Sequence, residues 1–551
     1  MNKNVLVAAA WPYANGSLHL GHVSALLGAD ILARYHRLCN DNVLYVSGTD
    51  CHGTPIAIEA EKQKVRPSEI AERYHEEFCH TLIDDLGFSY DLYTTTTTEN
   101  HEKVVQEFFL NLLGKGYIYA KVDDLLYCTH CDRFLPDRYV EGECPKCHYT
   151  EARGDQCDKC GILIDAKNLI KSHCKICGRQ PELRTSEHFY LKLSAFRDDL
   201  AEWIKQSVGW RNNARNFSLG LLSQDIPDRA ITRDTEWGIR IPVEGYEKKR
   251  IYVWFGAVIG YFSASIEWSK RHGDPNAWKR FWHNEHQDII HYYVHGKDNI
   301  PFHAIIWPAI LLGYGNLHLP DRIVSSEYLT FEKKQFSKSR NWAVWLPDFL
   351  ANFEADTLRY YLTVNGPETA DADFSWKDYK DKTNNELIAT LGNFINRVLS
   401  LILRNFPEGV VLPEELSLEQ NAFISLATEG YDQVGTAISN LQFRKGLKSI
   451  IRIAEHGNRY IDACAPWQSI KHDPKKTEGD LAVAGYVIYC LTTLLAPYLP
   501  SASLKLADSI EYKSNKWTPP VNKTIIVRKA NPLFRKLDDK EIDAQLEHLN
   551  K

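Results

Sequence analysis

The hydrophobic pattern at the amino end of the chain predicts a βαβ unit. Val5 to Ala10 is a short apolar run typical of a buried strand, and the segment from about Leu18 to Leu38 has the spacing of a helix. A second apolar run, Val43 to Val46, is predicted as the next strand. Because such units have right-handed crossovers, we expect the loops Trp11 to Ser17 and Gly48 to His52 to face one crevice.

The same alternation returns in the middle of the chain. Ile251 to Phe255 is predicted as a strand, and the segment from about Ala257 to Lys270 as a helix. Ile289 to Val294 and Arg322 to Ser325 are predicted as further strands. The pattern therefore indicates one α/β sheet that is split by a long insertion.

The carboxy-terminal part has a different pattern. From about Asn384 to Leu506, leucines and isoleucines recur at helical spacing with almost no strand signal, which predicts a helical bundle. Leu481 to Pro500 carries no charge over about one membrane thickness, but it contains Gly485, a threonine pair and Pro497. We expect a buried bundle helix there and no membrane span.

Composition and charge narrow the class of protein. A chain of 551 residues with 44% hydrophobic and 25% charged residues is typical of a large globular protein with several domains. The apolar run Val5 to Ala10 is short and no signal-peptide core is visible, so we expect a cytoplasmic protein. The net charge of −6 argues against a uniformly basic nucleic-acid binder. The net charge does not exclude RNA binding, because a local basic surface and base stacking are sufficient for such a contact.

Eight of the 13 cysteines lie in the insertion as four Cys-x-x-Cys pairs. In a cytoplasmic chain such clusters indicate metal ligands and not disulfides, and tetrahedral zinc needs two pairs per ion. The predicted ligands of two closed, structural zinc sites are Cys128, Cys131, Cys144, Cys147, Cys157, Cys160, Cys174 and Cys177. Sequential, alternating and nested arrangements of the pairs all satisfy the ligand count.

Two short motifs contain the candidate phosphate-binding residues. The sequence His19-Leu20-Gly21-His22 follows a strand and opens a helix, where imidazoles and backbone N–H groups can hold phosphate. The second motif, Gln335 to Arg340, is a small-polar and cationic loop after the last predicted strand. Surface histidines and solvated charge are the alternative interpretations of the two motifs taken singly. Their order, on either side of a cysteine-rich insertion and ahead of a helical bundle, is more specific than either motif.

With these motifs the chain resembles the class I aminoacyl-tRNA synthetases, and within them the methionyl-tRNA synthetase family with four cysteine knuckles. His19 to His22 matches the first family signature. Ser337, Lys338 and Ser339 match the second, a Lys-Met-Ser-Lys-Ser loop, but Gln335 and Phe336 replace its first lysine and its methionine. Lys334, one position earlier, is a candidate to supply part of the lost charge.

The resemblance implies an α/β fold with a Rossmann-type parallel sheet, a zinc-binding insertion and an all-α bundle. It implies that methionine is activated with ATP and Mg²⁺ to methionyl-adenylate and is then transferred to tRNA(Met), for initiation and elongation of translation. The implied catalytic residues are His19, His22 and Lys338 on phosphate oxygens. The implied ATP-binding residues are Gly21, Asp298, Ser337 and Ser339.

The resemblance also implies a methionine pocket, in which Asp50 holds the α-ammonium group and Tyr261 approaches the sulfur. The implied substrate-binding residues are Trp11, Tyr13, Asp50, Trp254, Ala257, Tyr261, Asn299, His303 and Trp307. Aromatic walls suit a polarizable thioether. This chain departs from the family at Trp11, where leucine is usual, and at Val258, where proline is usual.

Three residues of the bundle match family positions that read the CAU anticodon. Asn393 and Arg397 are four apart and therefore share a helix face, and Trp467 follows an Ala-Pro pair. Unstacked bases are typically bound by aromatic stacking and hydrogen bonds, which these side chains supply. Without the resemblance, they are ordinary surface residues.

The implied domains are the first half of the catalytic domain (1–118), the zinc-binding insertion (119–235), the second half (236–328), a signature-loop and stem-contact domain (329–386), the anticodon-binding bundle (387–510) and a tail that packs back on the catalytic domain (511–551). A monomer is expected, because a further dimerisation domain of some relatives is missing. Two alternatives remain, a weakened relative that acts as an RNA-binding or regulatory protein, and an adenylate-forming enzyme with another amino acid or acceptor.

Overall fold

The amino-terminal part of the chain alternates strands and helices. The computed structural model describes residues 2–154, 157, 159–160, 162, 164–224, 226–283, 285, 288–336 and 342–549. The first elements are β1 (Asn4–Ala9), α1 (Leu20–Leu38), β2 (Asn42–Thr49), α2 (Thr54–Gln63), α3 (Pro67–Cys79) with a π-helical turn (His80–Asp85), β3 (Leu92–Thr95) and α4 (Glu99–Gly114). The predicted βαβ unit is confirmed.

The insertion is built on a long antiparallel arm. Its elements are β4 (Ile118–Cys128), β5 (Arg133–Phe134), β6 (Val140–Glu143), β7 (Ala152–Arg153), β8 (Ile170–Cys174), β9 (Glu182–Leu191), α5 (Arg197–Gln206), α6 (Asn212–Leu222), β10 (Arg229–Ala230) and β11 (Thr232–Arg233). Short 3₁₀ turns lie at Asp137–Tyr139, Ala166–Asn168 and Leu193–Phe196. β4 pairs with β9 from Ile118↔Leu191 to Tyr127↔Glu182, and this arm leads to the cysteine-rich end.

The second half of the α/β unit follows the insertion. Its elements are β12 (Arg250–Ile251), α7 (Val253–Arg271), α8 (Lys279–Trp282), β13 (Ile289–Gly296), a 3₁₀ turn (Lys297–Asn299), a π-helical turn (Phe302–Ile306), α9 (Trp307–Tyr314) and β14 (Arg322–Ser326). The main sheet is parallel and has the order β14-β13-β1-β2-β3, so strands from both sides of the insertion meet between β13 and β1. In open sheets of this kind, ligands bind where the strand order reverses, outside the carboxyl ends of the strands.

One predicted strand is wrong, and one strand of the main sheet was not predicted. The prediction of a strand at Ile251 to Phe255 is wrong, because α7 already begins at Val253. A short aromatic and apolar run does not distinguish a strand from a buried helix. The edge strand β3 was not predicted, although the β-branched run that begins at Thr94 favours a strand.

A small mixed unit joins the sheet to the bundle. It contains β15 (Leu329–Phe331), β16 (Lys334–Gln335), α10 (Leu346–Asn352), α11 (Ala355–Val364), β17 (Ala372–Phe374) and α12 (Trp376–Asp381). β15 pairs with β16 antiparallel and with β17 parallel. The signature loop of the sequence therefore leaves β16, on the carboxyl side of the main sheet.

The carboxy-terminal part is helical, as predicted. Its elements are a π-helical segment (Lys382–Gly392), α13 (Asn393–Asn405), β18 (Val410–Val411), α14 (Leu418–Ser439), α15 (Phe443–Cys464), α16 (Pro466–Ser469), α17 (Pro474–Leu495), α18 (Pro500–Ser509), β19 (Thr524–Ile525) and α19 (Asp539–Leu549). Within the described residues, two continuous helical stretches are long and apolar enough to span a membrane, Trp376–Asn405 and Pro474–Leu495. Their most apolar windows are 39% and 89% buried. The predicted buried helix at Leu481 to Pro500 is confirmed as α17, which ends before Pro497.

The tail contacts two parts of the molecule. Trp517 donates its backbone N–H to the carbonyl of Leu38, at the end of α1. Further along, Arg535 donates its backbone N–H to Glu354 at 3.0 Å, and Leu537 donates to the side chain of Asn384 at 2.9 Å. The segment therefore returns to α1 and to the unit between the sheet and the bundle.

A buried ionic cluster ties α1 to the bundle. The Arg359 guanidinium on α11 lies 2.7 Å from the Asp30 carboxylate on α1, and both side chains are fully buried. Arg359 also donates to the Tyr498 carbonyl at 2.8 Å. Burial alone raises the pKa of Asp30, but the guanidiniums of Arg359 and Arg34, with hydrogen bonds from Ser89, bring it down to about 2. The cluster therefore holds an ionised carboxylate between the sheet and the helices.

Candidate active site

The two histidines of the first signature cap α1. His19 is the N-cap residue, and its Nδ1 accepts the Gly21 N–H at 3.2 Å. The backbone N–H of His19 in turn donates to Nδ1 of His22 at 3.0 Å. A neutral imidazole whose Nδ1 accepts carries its proton on Nε2. The cap therefore sets both rings as Nε2–H donors, which suits phosphate oxygens.

Phe336, which replaces the signature methionine, stacks on His19. The two rings are 4.6 Å apart and almost parallel, at 2°. A Cβ on Gly21 would lie 3.0 Å from the His19 ring and 3.4 Å from Phe336, so a side chain at position 21 would require the His19 ring to shift. The beginning of the signature loop is thereby in contact with the His19 to His22 turn.

Only the first residues of the signature loop are among the described residues. Ser337, Lys338 and Ser339 lie outside the described residues. Gln335 pairs with Thr330 in the β16–β15 ladder and is exposed. The ammonium of Lys334 lies 4.4 Å from the centre of the Trp342 ring, so in this structure it is held over an indole.

Asp50 lies at the carboxyl end of β2, where the two predicted loops meet. Its backbone N–H donates to the Pro12 carbonyl, and its carbonyl accepts from Ala14, both at 2.9 Å. The predicted juxtaposition of the loops after β1 and β2 is therefore confirmed. The side chain is 2% exposed. Burial raises the pKa of the Asp50 carboxyl well above its ordinary value, although the His52 N–H opposes this.

Tyr261 and His303 form a hydrogen-bonded pair behind this crevice. Nδ1 of His303 lies 2.9 Å from the Asn299 carbonyl, so it must donate, and Nε2 accepts from the Tyr261 hydroxyl at 2.7 Å. Burial lowers the pKa of His303 to about 4, which keeps the ring neutral. The Tyr261 proton is therefore directed to His303 in this structure, and the phenol oxygen is left as an acceptor.

A second imidazole, not predicted from the sequence, supports this pair. His295 at the end of β13 stacks on His303 with ring centres 4.3 Å apart. Burial and the neighbouring His303 lower the pKa of His295 well below its ordinary value. The sequence signal was available, because His295 immediately precedes the Gly-Lys-Asp-Asn run that contains Asn299.

Trp11 fills the space between two glycines. A Cβ on Gly48 would lie 2.5 Å from the indole, and a Cβ on Gly260 would lie 2.9 Å from it. The indole stacks on His101 at 6.1 Å and meets Tyr261 edge-on at 6.4 Å. The residue that departs from the family pattern therefore contacts the Tyr261 and His303 pair from the side of β1.

The remaining substrate candidates divide into two groups. Trp254 donates its indole N–H to the Tyr13 hydroxyl, and Ala257 lies on the same face of α7 as Trp254. Trp307 lies deeper. It is fully buried and donates to the Tyr293 hydroxyl at 2.8 Å, and the Tyr293 ring in turn meets Tyr261 edge-on at 5.3 Å.

Asp298 lies on the 3₁₀ turn that follows β13. It is exposed, and its carboxylate accepts a hydrogen bond from the Tyr328 hydroxyl. It therefore lies near the start of the small unit that carries the signature loop.

The cysteine pairs converge in a nested arrangement. In the described part of the chain the sulfurs form two groups, each with its four Sγ atoms within 4.8 Å of one another. In one group Cys128 lies 3.5 Å from Cys177 and Cys131 lies 3.9 Å from Cys174. In the other, Cys144 lies 3.9 Å from Cys160 and Cys147 lies 3.6 Å from Cys157.

These distances fit a tetrahedral ion. Four sulfurs at a zinc–sulfur distance of about 2.3 Å are separated by about 3.8 Å. The residues after three of the pairs, Asp132, His148 and Gly178, have left-handed backbone conformations, which turn each knuckle around its sulfurs. Both groups can therefore hold a closed metal site of four thiolates.

The three anticodon candidates lie at one end of the bundle. The Arg397 guanidinium lies 5.4 Å from the centre of the Trp467 ring, and Trp467 is 42% exposed. Two residues of α15 that were not predicted position Arg397 and Asn393. Asp462 forms an ion pair with Arg397 at 2.6 Å, and the side-chain oxygen of Asn458 accepts a hydrogen bond from Asn393 at 2.9 Å. Their spacing of four residues matches that of Asn393 and Arg397.

Comparison with known families gives the class of the protein. Residues 5–399 match a family model described as tRNA synthetases class I (M). Residues 412–548 match one described as the anticodon binding domain of methionyl tRNA ligase. The parallel sheet, the insertion and the helical bundle are thus those of a class I aminoacyl-tRNA synthetase.

Similar proteins identify the family more closely. The chain is 45% identical over 550 residues to a methionine--tRNA ligase of Bacillus cereus, with 99% of both proteins covered. It is 46% identical over 553 residues to that of Dehalococcoides mccartyi, again with 99% of both covered. This chain therefore belongs to the methionyl-tRNA synthetase family.

Solved structures agree with this fold. The methionyl-tRNA synthetase of Mycobacterium tuberculosis in complex with methionyl-adenylate superposes with a TM-score of 0.80 at 23% identity, covering 97% of this chain and 99% of that one. The predicted fold class is confirmed.

Proposed function

We propose that this chain activates L-methionine with ATP and transfers it to tRNA(Met), for both initiation and elongation of translation. In the first step a methionine carboxylate oxygen attacks the α-phosphorus of Mg²⁺-bound ATP, and the bond to the β-phosphate breaks to release pyrophosphate. In the second step a ribose hydroxyl at the 3′ end of the tRNA attacks the carbonyl carbon, and AMP leaves. No covalent bond to the protein is needed.

The observation that carries this proposal is the buried Asp50 carboxylate beside the β1 loop. A carboxylate in a nearly dry site is unfavourable unless a cation joins it. The α-ammonium group of methionine is such a cation. Tyr13, Trp254 and Ala257 are the proposed walls for the substrate, with Trp11 and the Tyr261 and His303 pair at its far end.

The proposed catalytic residues act on phosphate. His19 and His22 supply Nε2–H donors, and Lys338 is proposed to neutralise the charge that develops on the leaving pyrophosphate. Gly21 permits close approach of the nucleotide, and Asp298, Ser337 and Ser339 are proposed to bind ATP. Asn299 is proposed to position His303 through its carbonyl, and Trp307 is proposed to position Tyr261 through its hydrogen bond to Tyr293.

Amino-acid-dependent pyrophosphate exchange tests the proposal. We expect the purified protein to exchange labelled pyrophosphate into ATP faster with methionine than with leucine, isoleucine or valine, because aromatic walls suit a polarizable thioether. Exchange led by one of these three would reassign the substrate. Binding of tRNA(Met) without any exchange would instead support an RNA-binding or regulatory protein.

We also propose that each cysteine group binds one structural zinc ion. The nested thiolates would stabilise an arm that has little apolar core of its own. We expect metal analysis to give about two zinc ions per chain, and about one after the double substitution Cys128→Ser and Cys174→Ser. The control is Cys39→Ser, since Cys39 belongs to neither group. An unchanged zinc content in the double variant would contradict the proposal.

Asn393, Arg397 and Trp467 are proposed to bind the anticodon. Trp467 offers an exposed aromatic face with Arg397 beside it, which suits stacking with an unpaired base. We propose that the working unit is a cytoplasmic monomer, and sedimentation velocity of the purified protein with and without tRNA would show whether larger species form.

A further inference from the structure

Four aromatic rings connect the start of α1 to the small mixed unit. The centre of the His19 ring lies 3.8 Å from that of His22 and 4.6 Å from that of Phe336. The Phe336 ring in turn stacks on Phe331 at 5.8 Å. We call these four side chains the ring stack. Phe331 lies on β15 and is fully buried, so the ring stack runs from the proposed phosphate-binding turn into a packed core.

The buried end of the ring stack is firmly held. The Phe331 ring packs against Trp342 at 5.3 Å and against Phe374 at 6.0 Å. The Trp342 indole N–H also donates to the Phe331 carbonyl at 3.0 Å. Phe336 directly follows β16, which pairs with β15. The ring that reaches His19 is therefore attached to the core of this unit by its neighbours and by its backbone.

The stacked pair sets the plane of the His19 imidazole. The Nδ1 atom of His19 accepts the Gly21 N–H at 3.2 Å, which fixes the tautomer. A single hydrogen bond of this length restrains the ring plane weakly, and the second side-chain torsion of histidine has broad preferences. The His22 ring is tilted by 34°, whereas Phe336 lies parallel to within 2° in an offset-stacked arrangement. Phe336 is thus the neighbour that holds the ring in one plane.

The backbone of the turn is held separately from its rings. The Leu20 N–H donates to the Val344 carbonyl at 3.2 Å, and the Leu346 N–H donates to the Leu18 carbonyl at 2.8 Å. These bonds join the turn to the segment that leads into α10. Loss of stacking should therefore leave the turn in place and release only the imidazole.

We infer that Phe336 is a positioning residue for adenylate formation, because it holds the His19 imidazole with its Nε2–H donor set for the phosphates of ATP. This rests on the proposed function and adds to it a residue that acts through His19. A donor stabilises a transition state most when its geometry is fixed before the reaction begins. The aromatic ring that stands in the place of the signature methionine therefore contributes to the rate and not to the choice of amino acid.

The test is a double-mutant cycle in the full-length protein. Phe336→Leu keeps an apolar side chain at this half-buried position but removes the flat ring. Phe336→Tyr is the matched control, because it keeps the ring. Both substitutions are made in the parent and in His19→Asn. Pyrophosphate exchange gives kcat and the KM values for ATP and methionine, and thermal unfolding reports on the fold.

We expect Phe336→Leu to lower kcat by about 30-fold and to leave KM for methionine unchanged, since a mobile donor is felt mainly in the transition state. Phe336→Tyr should stay within about threefold of the parent, because its ring stacks equally well. In His19→Asn, Phe336→Leu should cost less than about a further threefold, because residues that act as a unit are not additive. A merely structural role would give the same loss in both backgrounds and a lower Tm.

Nuclear magnetic resonance provides a readout besides activity. In protein that is isotope-labelled at the histidine Cε1 position, the His19 signal is identified by its absence in His19→Asn. Its proton lies against the Phe336 ring, so it should be shifted upfield in the parent and in Phe336→Tyr, and should move downfield in Phe336→Leu. This readout holds whichever amino acid the protein activates, so it separates failure of the inference from failure of the proposed function.

Three outcomes would overturn the inference. One is a kcat of Phe336→Leu within about threefold of the parent, measured with the amino acid that the parent activates best. The second is an equal loss in the parent and in His19→Asn, which would show that Phe336 does not act through His19. The third is a His19 signal that is the same in Phe336→Leu as in the parent.

Discussion

Asp50→Asn is expected to lower kcat/KM for methionine in pyrophosphate exchange by about a thousandfold. The substitution keeps the size of the side chain and removes its charge, so the α-ammonium group of the substrate would enter a buried site without a counter-charge. Breaking such a pair typically costs about 3–5 kcal/mol, and about 1.4 kcal/mol corresponds to a factor of ten. Exchange kinetics at varied methionine concentration measure the effect.

The dependence on pH provides the control for this prediction. Burial raises the pKa of Asp50, and only its ionised form attracts an ammonium group. In the parent protein, KM for methionine should therefore rise as the pH is lowered, and in Asp50→Asn this rise should be absent. A variant within tenfold of the parent, with the same pH profile, would show that Asp50 does not bind the substrate.

Arg359→Met is expected to lower the free energy of unfolding by about 3–5 kcal/mol, because it leaves the fully buried Asp30 carboxylate with a single cationic partner, the partly exposed Arg34. Urea denaturation followed by tryptophan fluorescence measures the change. Arg34→Met is the matched control. It removes the other guanidinium on Asp30 but leaves Arg359 in place, so we expect a loss of about 1 kcal/mol.

Acid titration separates charge from packing in this cluster. Asp30 has a pKa of about 2 in the folded protein against an ordinary value of 3.8, so its contribution to stability is complete above 3.8 and is lost as the pH falls towards about 2. Arg359→Met should reduce this acid sensitivity. Equal losses in the Arg359 and Arg34 variants would refute the special role of the buried pair.

The sheet and its crevice were largely predictable because their signals are local. An apolar run followed by a loop with Pro12 and Gly16 identified β1, and handed crossovers brought Asp50 to the same edge. The run from Ile251 to Phe255 was misread because its hydrophobicity has no period that separates strand from helix. Its helical state is set by packing against α4 and the sheet.

The details of the site depend on contacts between distant segments. The nested order of cysteines follows from how β4 and β8 meet in space, for example where Cys128 approaches Cys177. The support of His303 by His295 and of Arg397 by Asp462 has the same origin. Spacing in the sequence identifies candidates for such groups, but it does not say which ones touch.

Trp11 and the glycines at 48 and 260 constrain how this chain can change over evolutionary time. Gly260 is required because the indole occupies the space of its Cβ, so alanine at position 260 is tolerated only after Trp11 has become smaller. A Cβ on Gly48 would also lie 2.5 Å from the carbonyl oxygen of Thr94, so position 48 is limited to glycine whatever stands at position 11. Conversely, a change of Trp11 to leucine alone opens a void against both glycines, and such voids are destabilising. Positions 11 and 260 are thus epistatic, and a lineage with leucine at position 11 can accept a side chain at 260 that this one cannot.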